Sequence, residues 1–89
     1  MAIVHKQRIP PENIIPQMSV PSNGKDMVLY QDATHVYYCY GDPTSALADE
    51  EWWIVRNAKD GTEVASARPP NFQHPATDLA TVVGLDYRT

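Results

Sequence analysis

The chain has 89 residues, 43% of them hydrophobic, and a formal net charge of −4. That length fits one domain, which buries only about 60–65% of the surface its unfolded chain exposes. The net negative charge includes no basic stripe able to neutralise phosphates, which argues against nucleic-acid binding.

Charge and composition divide the sequence at about residue 26. Residues 1–26 carry Lys6, Arg8 and Lys25 against Glu12 and Asp26, whereas residues 27–89 carry four basic residues against nine acidic ones. Cys39 is the only cysteine, so no internal disulfide can form. The opening "MAIVHKQRIPP" lacks the apolar stretch of a signal peptide. No run approaches the ~20 apolar residues of a membrane helix. The expectation is a protein that is neither exported nor membrane-bound.

Residues 1–26 read as an extended, proline-rich N-terminal arm. Pro10, Pro11, Pro16 and Pro21 each fix φ and remove a backbone donor. A polyproline II stretch over 9–23 would reach on the order of 45 Å. The stretch also holds Ile9, Ile14, Ile15, Met18 and Val20, side chains a solvated linker does not need. Two readings stay open: a disordered terminus, or an arm whose apolar residues dock on a neighbouring subunit. "PSNGKD" supplies the turn that ends it.

Residues 27–89 read as a small β domain. "MVLYQ" (27–31) and "THVYYCY" (34–40) are rich in β-branched and aromatic residues and predict two strands. Alternation puts Thr34, Val36, Tyr38 and Tyr40 on one face and His35, Tyr37 and Cys39 on the other. Both faces are largely apolar, so both should be covered. "GDPTSALADEE" (41–51) is a loop with an acidic edge at Asp49, Glu50 and Glu51.

"WWIVRNAK", Asp60-Gly61 and "TEVASA" predict a hairpin closed by a type I′ turn. With Lys59 opposite Thr62, Asn57 faces Val64, Arg56 faces Ala65 and Ile54 faces Ala67. Trp53, Val55 and Val64 then share one face. Trp52, Ile54, Ala65 and Arg56 share the other, with Glu63 diagonal to Arg56. Neighbouring strand residues point to opposite faces, so Trp52 and Trp53 cannot enter one small core together. Trp52, beside Ile54, is expected in the core and Trp53 against a partner subunit or the arm. Burial of the second indole under the arm or the 41–51 loop of the same chain is the alternative.

Pro69 and Pro70 exclude a central strand from "ARPPNFQHP". Pro75 in front and Gly84 behind favour a short helix over Ala76 to Val83, although "TDLATVV" is also legible as a strand. "GLDYR" closes as a short strand. The fold expected is mainly β: a four- or five-stranded antiparallel sheet or partly open barrel with a short C-terminal helix.

No catalytic residues and no cofactor are expected. His35 and Cys39 share a strand face but stand ~13 Å apart, too far for one metal ion. Contiguous acids on a loop diverge into solvent rather than converge on a pocket.

Tyr40, Gly41, Thr44, Ser45, Ala46, Asp49, the Trp-x-Ile-x-Arg run of Trp52, Ile54 and Arg56, Gly61, Asn71, Phe72, and the terminal Leu85 and Tyr87 occur in a characteristic order. Over residues 36–87 this order resembles small virion proteins encoded by many tailed bacteriophages. The resemblance implies a structural role in a particle, at the neck, tail or capsid surface. It also implies location in the virion, with copies of itself and other virion proteins as partners. The interface residues expected are Ile9, Ile14, Ile15, Met18, Val20 and Trp53. The runner-up is a β binding module that recruits a peptide or protein along an edge or an aromatic groove.

Overall fold

The computed structural model describes residues 5–8, 20 and 23–89. Six strands form one antiparallel sheet in simple chain order: β1 (His5–Arg8), β2 (Asp26–Gln31), β3 (His35–Gly41), β4 (Trp53–Ala58), β5 (Val64–Ala67) and β6 (Tyr87–Arg88). One helix, α1 (Leu79–Val83), lies between β5 and β6. The architecture is mainly β, with a short helix near the C-terminus, as the sequence predicts.

Register follows the alternation of side chains. Val28 pairs with Cys39 and Cys39 with Ile54, so three strands contribute one continuous apolar row to one face, called here the inner face. One residue along, Met27 pairs with Tyr40 and Tyr40 with Trp53, which builds a second row on the outer face. The inner cluster holds Val28, Tyr30, Tyr37, Cys39, Trp52, Ile54, Ala67, Ala76 and Val82. The outer cluster holds Val20, Met27, Tyr40 and Val55. Both faces are apolar, because a β-strand of this composition has no polar side to turn to water; the inner face is covered by Trp52, Ala76 and Val82, the outer face only in part.

Trp52 closes the inner face. It is fully buried, and its Nε1 donates to the Ala46 carbonyl at 3.0 Å. Its backbone exchanges two hydrogen bonds with His74, at 2.9 and 3.0 Å. These bonds draw the proline loop across the sheet. Ala76 N then donates to Leu47 O at 2.8 Å, and Tyr30 Oη donates to Ala76 O at 2.7 Å. The indole lies flat against Gly41: a Cβ built on that glycine would sit 2.5 Å from Trp52 Cε3. Gly41 is therefore required by the ring that covers it, not only by a turn.

Several local expectations are corrected. The first 26 residues are not strandless, since His5–Arg8 pairs with β2 in the register His5↔Leu29 to Arg8↔Asp26. A sequence of His-Lys-Gln-Arg has no apolar period to announce a strand. Thr34 belongs to the β2–β3 turn, where the Asp32 carboxylate accepts from Thr34 N at 2.9 Å and His35 N at 2.8 Å. The β4–β5 turn is not type I′, because Gly61 has φ 81° while no non-glycine described residue has positive φ. Ala58 pairs with Glu63 through Ala58 N to Glu63 O at 2.9 Å, so Lys59 and Thr62 both fall in the loop. The loop is held there by Asp60 Oδ1, which accepts from Thr62 N and Thr62 Oγ1. Beyond the turn the expected pairs Asn57↔Val64 and Arg56↔Ala65 form.

The helix starts at Leu79, three residues later than expected. Asp78, not Pro75, sets its start: its carboxylate accepts from Thr81 N at 2.8 Å. Pro75 instead follows the His74 bridge to Trp52. Gly84 ends the helix as expected, with φ −78°.

Truncating a large buried side chain costs about 3–5 kcal/mol, a large part of the stability of a domain this small. Trp52→Ala is expected to abolish the cooperative unfolding transition in circular dichroism. Gly41→Ala is expected to lower the melting temperature although it removes no contact. Hydrogen bonds from the Thr34 backbone hold the Asp32 carboxyl below its ordinary range, despite an opposing effect of burial. The charged carboxylate is thus favoured in the folded chain. Its contribution is full above the ordinary aspartate range and is lost as pH falls through the lowered folded value. In acid titrations followed by thermal melts, Asp32→Asn is expected to narrow the difference between neutral and strongly acidic stability.

Candidate functional site

Trp53 follows the closing indole directly, and the pleat sends it to the outer face. There it is half-buried. Its Nε1 donates to Ser66 Oγ at 3.1 Å, and Ser66 Oγ in turn donates to the Ala67 carbonyl at 3.1 Å. Trp53 is thus oriented by the neighbouring strand β5. Its ring meets Phe72 edge-on, with centroids 5.2 Å apart and planes at 77°. This is a favourable geometry for two aromatic quadrupoles.

Phe72 is brought to the outer face by the proline loop that Trp52 anchors from the other side. Lys25 Nζ lies 4.5 Å over the Phe72 ring and 2.6 Å from Asp42 Oδ1. Around this pair stand Leu29, Tyr38 and Val64, all half-buried against the outer cluster. Beneath them, Tyr40 is 1% exposed and Val55 0%. Burial pushes the Tyr40 hydroxyl well above the ordinary tyrosine range, so it stays neutral. The outer face is therefore an apolar, aromatic surface of partly exposed side chains over a dry floor. Trp53 and Phe72 are its most prominent members, with one cation and one carboxylate at the margin.

Two carboxamide oxygens, Asn57 Oδ1 and Asn71 Oδ1, are buried without a hydrogen-bond partner. Asn57 shares the parity of Trp53 and Val55 on β4, and Asn71 precedes Phe72. The described residues enclose no cavity. They contain no group of three or more His, Cys, Asp or Glu placed to hold a metal ion. No helix among them is long and apolar enough to cross a membrane.

Of the residues expected at an interface, Trp53 is placed on this surface. Val20 is 1% exposed and packs with Met27, Tyr40 and Val55 of its own chain. In the single chain it belongs to the floor rather than to a free edge. Ile9, Ile14, Ile15 and Met18 lie outside the described residues. Sequence reasoning did not single out Phe72 and Lys25 for the interface; their loop positions hide a contact made only in three dimensions. Phe72 is the single phenylalanine, in the stretch that Pro69 and Pro70 exclude from a central strand.

On the inner face, Arg56 meets Glu63 as expected, with Nη2 2.8 Å and Nε 3.0 Å from Glu63 Oε1. Arg56 also stacks over Tyr87 at 4.7 Å, which explains how a guanidinium is accommodated beside Ile54. The acidic loop is less idle than a solvated edge. Asp49 Oδ2 accepts from Ala46 N at 2.8 Å and Glu51 Oε1 accepts from Ser45 Oγ at 3.1 Å, so both shape the loop that receives the Trp52 N–H.

No protein-family model, no curated protein and no solved structure matches this chain.

Because Trp53 is only half-buried and the inner core does not use it, Trp53→Ala is expected to keep a cooperative transition. Its stability loss should be about 1–2 kcal/mol, well below that of Trp52→Ala. Ser66→Ala is expected to cost about 1 kcal/mol by leaving the Trp53 N–H without its acceptor. Chemical denaturation of the three variants orders them.

Proposed function

We propose that this protein is a structural component of a tailed-phage particle and works through subunit–subunit contacts on the outer face centred on Trp53. One observation carries the proposal. A tryptophan fixed by Ser66 and set edge-on against Phe72 stays partly exposed on an apolar surface, while its neighbour Trp52 closes a complete core on the other side. Tryptophan is among the residues most enriched at interface hot spots. The phage assignment is supported by the order of residues from Tyr40 to Tyr87, and the partners proposed are copies of this chain and other virion proteins.

Recruitment of a peptide at a sheet edge has less support. One outer strand is His-Lys-Gln-Arg and the other is the two-residue Tyr87–Arg88. Short and charged edges of this kind discourage strand addition.

Sedimentation velocity over a concentration series tests the proposal. The wild-type chain is expected to associate as concentration rises. Trp53→Ala is expected to remain folded and to associate at least tenfold more weakly, in keeping with a hot spot of about 2 kcal/mol. A wild-type chain that stays monomeric and well folded at high concentration would contradict self-assembly through this face.

A further inference from the structure

Lys25 and Asp42 extend the β2–β3 ladder by one step. Asp26 pairs with Gly41 at the end of that ladder, so the next residues out, Lys25 and Asp42, stand opposite each other. They share the parity of Met27 and Tyr40, which belongs to the outer face. There Lys25 Nζ meets Asp42 Oδ1 at 2.6 Å and lies 4.5 Å over the Phe72 ring, while Phe72 and Trp53 have their ring centroids 5.2 Å apart. A cation, a carboxylate and two aromatic rings thus form one compact cluster at the margin of the apolar surface. Both charged side chains reach solvent from it.

The other described surfaces offer a second copy much less. The inner face is covered by Trp52, Ala76 and Val82. The two sheet edges are short and charged. Val83 is the one large hydrophobic residue exposed outright among the described residues, and an isolated side chain of that kind is ordinary on a protein surface. A head-to-tail contact joins two different surfaces, whereas a two-fold contact joins one surface to itself. With one partly open apolar face among the described residues, the two-fold contact is the one that covers it in both copies. Its size is suitable. A standard interface takes about 800 Å² from each partner, which is about a sixth of the chain's 4881 Å² and so about one side of a body measuring 31 × 27 × 24 Å.

We propose that the outer face packs against the outer face of a second copy across a two-fold axis beside Phe72, an inference that rests on the assembly reading above. The axis sets Lys25 against the partner's Asp42, and Asp42 against the partner's Lys25. Four charges then alternate in sign, so each chain keeps its internal pair and gains a second one. Copies with a net charge of −4 repel each other at a distance, and this cluster gives them a register in which contact is attractive. The two sheets stack face to face, about 10 Å apart as in a sandwich. Leu29, Tyr38 and Val64, partly exposed in the single chain, become part of a shared core with Trp53 and Phe72.

Charge-reversed chains test the arrangement. Lys25→Glu and Asp42→Lys each put like charges across the axis, while breaking a surface pair that contributes little to folding. Each variant is expected to keep its circular dichroism spectrum and, in sedimentation velocity, to associate at least about tenfold more weakly than wild type. An equimolar mixture of the two is expected to recover association close to the wild-type value, because each chain supplies the charge the other now needs. The species formed is expected to be a dimer and nothing larger. Mixing repairs nothing within a chain, so variants that weaken association without recovery in the mixture would show only the loss of the internal pair and would overturn the two-fold. Variants that associate as well as wild type, or a wild-type chain that grows beyond two copies, would overturn it too. In those cases a loss of association in Trp53→Ala would leave the outer-face reading standing, whereas a monomeric wild-type chain would remove both.

Discussion

The packing of one indole against one glycine organises most of this structure. Trp52 is wholly buried over Gly41, where even a methyl group would overlap the ring. The contact joins the end of β3 to the start of β4, so it closes the ten-residue loop between them and fixes where that loop folds. The indole N–H secures the loop at Ala46, and the Trp52 backbone secures the proline loop at His74. From His74 the chain runs to Ala76, which Leu47 and Tyr30 both hold, and on to α1 and its buried Val82. A helix of five residues is too short to form by itself, and here it rests on a core that the tryptophan completes.

The same residue decides what the other face can do. Because strand side chains alternate, completing the inner core with Trp52 commits Trp53 to the outer face. There Met27 and Tyr40 in the row that ends at Trp53, and Val55 and Ser66 in the row that begins at Leu29 and Tyr38, supply a floor that is already dry. Phe72 reaches that floor only because the proline loop is pinned to the inner face. The two faces are thus coupled through loops rather than through the sheet alone. The proposed interface is a by-product of how the core is closed.

Much of this was legible in the sequence, and the reasons differ from element to element. β2 to β4 were visible as β-branched and aromatic runs; β5 and its Asn57↔Val64 and Arg56↔Ala65 pairs followed from centring a hairpin on Asp60-Gly61. The division of the two tryptophans between faces needed only the pleat. The Arg56–Glu63 pair was legible because a guanidinium beside Ile54 needs a carboxylate within reach. Hidden features depended on long-range contacts or on side-chain chemistry at a turn. His5–Arg8 has no periodicity of its own and is a strand only because β2 offers an edge. Pro75 imitated a helix start while serving the bridge to Trp52, and the cap was Asp78. Gly41 read as the first residue of the 41–51 loop; it ends β3, and its reason is a ring eleven residues away in sequence. Phe72 belonged to the surface only once the fold was closed.

Trp52 serves the fold, and the role proposed for Trp53 is to serve the partner. The most direct test of that division is acrylamide quenching of the two single-tryptophan chains, Trp52→Phe and Trp53→Phe, over a range of protein concentrations. The indole at position 52 is expected to be shielded at every concentration. The indole at position 53 should be accessible in dilute protein and lose that access as the chains associate. An indole at position 53 that stays equally accessible in the associated protein, or one at position 52 whose shielding depends on concentration, would contradict it.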